Sequence, residues 1–349
     1  MNIIVLAGGY SPERNVSLVS GSVITKALRE KGHIVFLLDA YENIEVCADF
    51  EAVYKAYSKE NYNYIISEEE PDLEALKKAN GNGEALLGRN ILEACKLADV
   101  VFIALHGAAG ENGQLQAAFD TFGVKYTGSG YAGCLLSMDK TIAKELMTVY
   151  GVNTPQGEEI EIDNMSDDEL YSILSSKKLP FVIKPINGGS SVGISIVKNK
   201  SDIQQAVKYA KKYENKVQIE EYIEGREFTV GILGGVALPV LEIIPKSGFF
   251  DYKNKYQADL TDEICPADIS EELAKKMQTA ALKAHKALRL GSYSRADFMV
   301  DKNKNIYCLE VNSLPGMTPA SLLPKEAAEV GIQYADLCEK IVELAFGNK

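Results

Sequence analysis

The chain has 349 residues, 46% of them hydrophobic and 25% charged, with a formal charge of −12. That length predicts two or three domains, and the acidic balance excludes the broad basic face that a nucleic-acid partner requires. No apolar tract reaches about 18 residues, so no membrane span is expected, and "MNIIVLAGGY" has no basic n-region and too short an apolar run for a signal peptide.

The first third alternates strand and helix. "NIIVLAGG" reads as a buried parallel strand meeting a glycine turn, and Ser11-Pro12 starts a helix that runs to Gly32. "HIVFLLDA" is a second strand. Residues 42–90 are polar, tyrosine-rich and weakly periodic, and read as helices and loops of no assigned role. "ADVVFIALHG" is a third strand, ending in glycine. This βαβ pattern places ligand-binding loops at the C-terminal ends of the strands. "GGYSPE" is not the G-x-G-x-x-G fingerprint, so a dinucleotide-binding oxidoreductase is a poor fit.

"MDKTIAKELMTVYG" predicts a helix over Met138–Gly151. "PFVIKP" and "GISIVKN" are β-rich segments around the glycine-rich "NGGSS". Bare N–H groups there suit an anion, and the same residues suit a plain hairpin turn. Ser201 is expected to cap the helix "SDIQQAVKYAKKY". "KVQIEEYIEGREFTVGILGG" and "VALPVLEIIP" read as antiparallel strands. The irregular "KSGFFDYKNKYQADLTDEICP" is long enough to be functional. A helix over 271–290, a hairpin over 293–311 and one last helix complete the chain. Six scattered cysteines without C-x-x-C spacing and three unclustered histidines point to a reduced, cytoplasmic, zinc-free protein.

The hairpin "YSRADFMVDKNKNIYCLEVNSLPG" is the most informative segment. Alternation puts Arg295, Asp297 and Met299 on one face, and Ile306, Cys308, Glu310 and Asn312 together on the return strand. Closure about "KNKN" sets Asp297 opposite Glu310 and Arg295 opposite Asn312. Asp297, Glu310 and Asn312 then form an oxygen-rich set suited to a hard cation such as Mg²⁺. A solvated polar face is the other reading, and the apolar flanks "ADFMV" and "IYCLEVN" weaken it.

Taken with "GGYSPERNVSLVSG", "FIALHGAAGENGQLQ", "YTGSG", "MDK", "VIKP", "GGSSVG", "EGREFTV", "FFDYKNKY", "CPA", "SRADFMV" and "LEVNSLPGMT", the chain resembles a D-alanine–D-alanine ligase of the ATP-grasp superfamily. The resemblance implies an α/β fold in three parts: a Rossmann-like N-terminal domain over 1–128, and two α+β subdomains over 129–219 and 220–349 that grip ATP. It implies a two-step reaction, in which one D-alanine carboxylate is phosphorylated and the amine of a second D-alanine displaces the phosphate. It further implies two Mg²⁺ ions, or Mn²⁺, on Asp297, Glu310 and Asn312; D-alanine and ATP as partners; a homodimer; and a cytoplasmic role in supplying D-alanyl-D-alanine for peptidoglycan.

By position, Lys140, Lys184 and Lys255 resemble the lysines that hold the ATP phosphates, and Gly189, Ser190 and Ser191 their covering loop. Glu220, Glu221, Tyr222 and Ile223 resemble the segment that reads adenine, Glu227 the ribose contact, and Phe249 an adenine-packing ring. Glu13 and His106 resemble contacts to the first D-alanine. Ser190 and Tyr256 resemble the pair that hydrogen-bonds with Glu13 and shuts the long loop. Arg295 and the Gly316 N–H resemble oxyanion donors, each worth about 3 kcal/mol in other enzymes. Ser321 and Leu322 resemble the second-substrate pocket. Where the family commonly has Ser-His beside that pocket, this chain has Pro319-Ala320. A D-alanine–D-serine ligase, or another dipeptide ligase, is therefore the alternative expectation.

Overall fold

Three runs of aliphatic residues, buried on both faces, build the first sheet. In the computed structural model, which describes residues 1–66, 71–163, 165–187, 193–246 and 261–347, these are β1 (Asn2–Ala7), β2 (Ile34–Asp39) and β3 (Val100–Ile103). They pair in parallel in the order β2-β1-β3, and burial on both faces is what a covered parallel sheet demands. α1 (Arg14–Glu30) connects β1 to β2 and packs on both. Between β2 and β3 lie α2 (Phe50–Tyr57), α3 (Leu73–Asn80) and α4 (Ile91–Cys95). α2 and α3 are capped by the Asp49 and Asp72 side chains. Phe36 of β2 meets Phe50 and Tyr54 edge-on at 5.5 and 5.7 Å, so the tyrosine-rich segment covers the β2 edge of the sheet.

α5 (Ala108–Glu111), α6 (Gln114–Phe122), α7 (Tyr131–Met138) and α8 (Lys140–Val149) follow. The helix expected from Met138 starts one step later. The Asp139 side chain accepts the Ile142 N–H at 2.9 Å and caps α8, leaving Met138 to end α7.

β4 (Gly157–Glu161), β5 (Phe181–Pro185), β6 (Ser195–Val197) and β7 (Lys216–Glu221) form an antiparallel sheet in the order β4-β7-β5-β6. α9 (Asp167–Ser175) and α10 (Ile203–Ala210) cover it through Leu170, Leu174, Ile203 and Val207. Ser201 does not cap α10. A 3-10 turn over Lys200–Asp202 precedes the helix, and Asn199 and Asp202 exchange the capping hydrogen bonds. The Ser201 hydroxyl donates to Asp202 instead.

β8 (Gly225–Leu233), β9 (Val236–Ala237), β10 (Leu241–Pro245), β11 (Thr261–Ile264), β12 (Tyr293–Asp301) and β13 (Ile306–Asn312) make the third sheet, ordered β11-β10-β8-β12-β13 with β9 on β8. Consecutive β7 and β8 thus belong to different sheets. α11 (Glu271–Ala287) packs on the third sheet. The single helix expected at the end is two, α12 (Leu322–Glu329) and α13 (Tyr334–Gly347), separated at the left-handed Gly331.

The apolar cores do not follow chain order. Ala143 and Met147 of α8 lie in one core with Phe228, Met277 and Phe298 of the third sheet and its helix. α12 and α13 close the core of the first sheet. The boundary expected at 219/220 falls inside β7.

Candidate active site

A cavity of about 350 Å³ lies between the second and third sheets. Val182, Ile194 and Ile196 line it on one side, and Ile243, Met299 and Leu309 on the other. The link from β7 to β8, with Glu221, Tyr222 and Ile223, runs along it, and Glu227 contributes from β8. The Glu221 carboxylate accepts the Gln156 N–H at 3.0 Å, which ties this link to the start of β4. An apolar slot with a few polar groups at its rim is the usual form of a small-molecule site.

At the inner end of the cavity Glu220 meets two ammonium groups, Lys184 from β5 and Lys144 from α8, one on each carboxylate oxygen. All three side chains are buried. Burial pushes Lys184 down to about 8, with Glu310 opposing the shift. Burial, then Lys184 and Lys140, push Lys144 well below the usual lysine range, with Cys308 and Glu310 opposing. Lys140 caps the same end, its backbone N–H donating to the Ile186 carbonyl at 3.2 Å.

The hairpin of β12 and β13 closes in the expected register: Arg295 faces Asn312, and Asp297 faces Glu310. Beyond Asp297 the register shifts by one residue through a bulge, so that Phe298 faces Cys308. The bulge corrects one expectation. Cys308 does not share the face of Glu310 and Asn312 but joins Val311 in the core, and Leu309 lines the cavity with Glu310. Among the described residues, Asp297 is held from three directions. Arg295 donates to both oxygens at 2.8 and 2.7 Å, Thr229 at 2.7 Å and Asn312 at 3.0 Å. Two carboxylates and an amide on neighbouring strand positions are the donor chemistry of a hard cation.

A second wall comes from the first sheet. Glu13 stands at the start of α1 without capping it. Its carboxylate packs against Gly107, where an added Cβ would lie 2.8 Å from Oε2. Gly107 has a φ of +72°, so it is glycine for both conformation and space. Its N–H donates to Glu111 at 2.9 Å. Burial and the nearby Glu13 push the Glu111 carboxyl up to about 8, with the Gly107 N–H opposing. Burial holds His106 below the usual histidine range against the pull of Glu13. Lys140, Glu310 and Asn312 line a small hollow together with Glu111, which brings the first sheet to the hairpin.

Near Gly316, the Ser321 Oγ accepts the Thr318 N–H at 3.1 Å and pairs with the Thr318 hydroxyl at 2.9 Å. The Leu322 side chain is buried with Leu241 and Ile243. Gly189, Ser190, Ser191, Phe249, Lys255 and Tyr256 lie outside the described residues. Two residues at the site had no role from sequence, Lys144 and Glu111. Lys144 lies one helical turn from Lys140, a spacing ordinary for solvated lysines, so the sequence carried no signal for it. Glu111 lay inside the quoted "HGAAGENG" segment.

Residues 2–129 match the family model described as D-ala D-ala ligase N-terminus, and residues 146–343 match D-ala D-ala ligase C-terminus. A D-alanine–D-alanine ligase from Pediococcus pentosaceus is 40% identical over 98% of this chain and 97% of its own. One from Aquifex aeolicus is 36% identical over 98% and 100%. Among solved structures, the Bacillus anthracis D-alanine–D-alanine ligase complexed with ATP superposes with a TM-score of 0.74 at 28% identity, covering 99% of this chain and 98% of that one. The VanG D-Ala:D-Ser ligase from Enterococcus faecalis does so with a TM-score of 0.74 at 27% identity, covering 98% of each. The three sheets are those of an ATP-grasp fold behind a Rossmann-like domain, and the chain belongs to the D-alanine–D-alanine ligase family.

Proposed function

We propose that the protein joins two D-alanine molecules at the expense of ATP, supplying D-alanyl-D-alanine for peptidoglycan. The observation that carries the reading is the meeting, at one end of an apolar cavity, of buried Lys184 and Glu220 with Asp297 and Glu310. A carboxylate is a poor electrophile, and phosphorylation by ATP gives it a leaving group. The second amine then attacks the carbonyl carbon. A C–N bond forms, phosphate departs with the C–O electron pair, and the one proton that the nitrogen sheds ends on the released phosphate.

In this reading adenine lies in the slot along Glu220, Glu221, Tyr222 and Ile223, with Phe249 packing on it and the ribose near Glu227. Lys140, Lys184 and Lys255 face the phosphates beneath the loop of Gly189, Ser190 and Ser191. Asp297, Glu310 and Asn312 would hold Mg²⁺, or Mn²⁺ in its place. The bound ions supply charge that neutralises the phosphate oxygens. Glu13 accepts from the first ammonium, with neutral His106 beside it. Ser190 and Tyr256 join Glu13 over the substrate, and Arg295 and the Gly316 N–H stabilise the oxyanion. Ser321 and Leu322 border the acceptor. In the same reading the chain divides near residues 128 and 219 and pairs as a homodimer. Among the described residues no helix is long and apolar enough to cross a membrane, and all six cysteines are free; both support a cytoplasmic setting.

The deciding assay is phosphate release from ATP and Mg²⁺ with D-alanine, with the product identified by mass spectrometry. D-alanine-dependent release with D-alanyl-D-alanine as product is expected. No turnover with D-alanine, but turnover with an L-amino acid, overturns the reading. Pro319-Ala320 beside the acceptor pocket motivates a second reading, D-serine as acceptor. An equimolar competition of D-alanine and D-serine decides between them by product mass.

A further inference from the structure

Lys144 has no role in the family resemblance, yet its ammonium is buried at the nucleotide cleft. It stands one helical turn beyond Lys140, on the same face of α8. With Lys184 it shares a single carboxylate, Glu220. Two buried lysines meet on one buried glutamate out of water, in a cavity that Asp297 and Glu310 also line. That burial is costly unless the geometry is good.

The partners also belong to different bodies. α8 is fixed in the third-sheet core by Ala143 and Met147. β7 is fixed in the second-sheet core by Val217 and Ile219. The Lys144–Glu220 contact therefore bridges the two walls of the cavity, and the Lys140 N–H bond to the Ile186 carbonyl is a second tie nearby.

We infer that Lys144 is a positioning residue for the nucleotide: it holds Glu220, and with it the adenine-facing link that follows β7, so that Lys184 can turn to the phosphates without leaving Glu220 an unpaired buried anion. The inference rests on the ATP reading above. With Lys144 removed, Lys184 is the one ammonium left on Glu220 among the described residues. A phosphate must then compete with that carboxylate for it, and breaking a buried pair strands the charge left behind.

The test is calorimetric titration of the full-length protein with ADP and Mg²⁺, together with KM values for ATP and D-alanine. Failure of the wild type to bind ADP strikes the ATP reading itself and is distinguished in that way. If the wild type binds, Lys144→Met is expected to weaken ADP about tenfold and to raise the KM for ATP similarly. The KM for D-alanine is expected to stay unchanged, and Lys144→Arg to recover most of the affinity. In a Glu220→Gln background, Lys144→Met is expected to cost little more, because the group it serves is gone. Unchanged ADP affinity in Lys144→Met, equal loss for ATP and D-alanine, or additive losses in the double variant overturns the inference. Should Lys144→Met not fold, Lys144→Arg against Lys144→Gln carries the same test: equal ADP affinities for these two overturn it.

Discussion

Asp297 and Glu310 face each other across an antiparallel pair, where like charges repel. The arrangement is tolerable because cations surround it. Arg295 grips Asp297 with both donor groups, and Glu310 supports the charged form of Lys184. Glu310 itself donates nothing to the apolar core, so its charge is its contribution. Replacement by Gln keeps the shape and removes the charge. Glu310→Gln is expected to lower phosphate release at saturating Mg²⁺ about 100-fold or more, the effect of losing several kcal/mol of charge stabilisation. The melting temperature is expected to move by no more than a few degrees. Near-wild-type turnover in a folded variant would remove Glu310 from the metal set. At this scale the sequence was readable wherever a residue type broke its local pattern, as a carboxylate does in the strand "IYCLEVN". Lys144 was not readable, because a lysine four residues after another on an amphipathic helix is ordinarily solvated. Its buried partner Glu220 is distant in sequence.

Elements were legible where one period ran through them and illegible where a local bond overrode it. The register from Arg295 to Asp297 followed from alternation alone, whereas the bulge beyond it did not. A bulge adds one residue without changing composition, and only packing of Cys308 with Val311 reveals it. Asn199 displaced Ser201 as the cap by a similar competition, because Asp202 could bond back to it. The turn after β3 is the most constrained connection at the site. At Gly107 a side chain would need a left-handed backbone and would push on Glu13 Oε2 and on Ser11 Oγ, 2.9 Å from an added Cβ. Gly107→Ala is expected to cost about 1 kcal/mol or more in stability by denaturant titration. It is also expected to raise the KM for D-alanine more than the KM for ATP, because Glu13 is what moves. Equal changes in both constants would detach this turn from the amino-acid site.

The whole molecule differs from the reading by sequence in which pieces share a core. Chain order suggests an N-terminal domain that ends near residue 128. The first-sheet core, however, contains Leu337, Cys338, Ile341 and Val342 of α13, together with Leu323 and Ala327 of α12. α13 lies against α1, with Lys31 paired to Asp336 and, at 3.2 Å, to Glu339. Sequence periodicity marks α13 as amphipathic but carries no information about which sheet its apolar face covers. Removing α13 exposes the first-sheet side of that packing. At roughly 1.5–3 kcal/mol for each large apolar side chain, Leu337, Ile341 and Val342 amount to about 4.5–9 kcal/mol, comparable to the net stability of a typical domain, about 5–15 kcal/mol. Residues 1–129 alone are therefore expected to keep much of their far-ultraviolet circular dichroism while binding a hydrophobic dye and melting without a cooperative transition. Adding a peptide of residues 320–347 is expected to restore the transition and displace the dye, because it supplies the missing wall of the core. A cooperative melt of the fragment alone, with no response to the peptide, would show that the first sheet closes its core without α13 and that chain order is the better guide to its boundary.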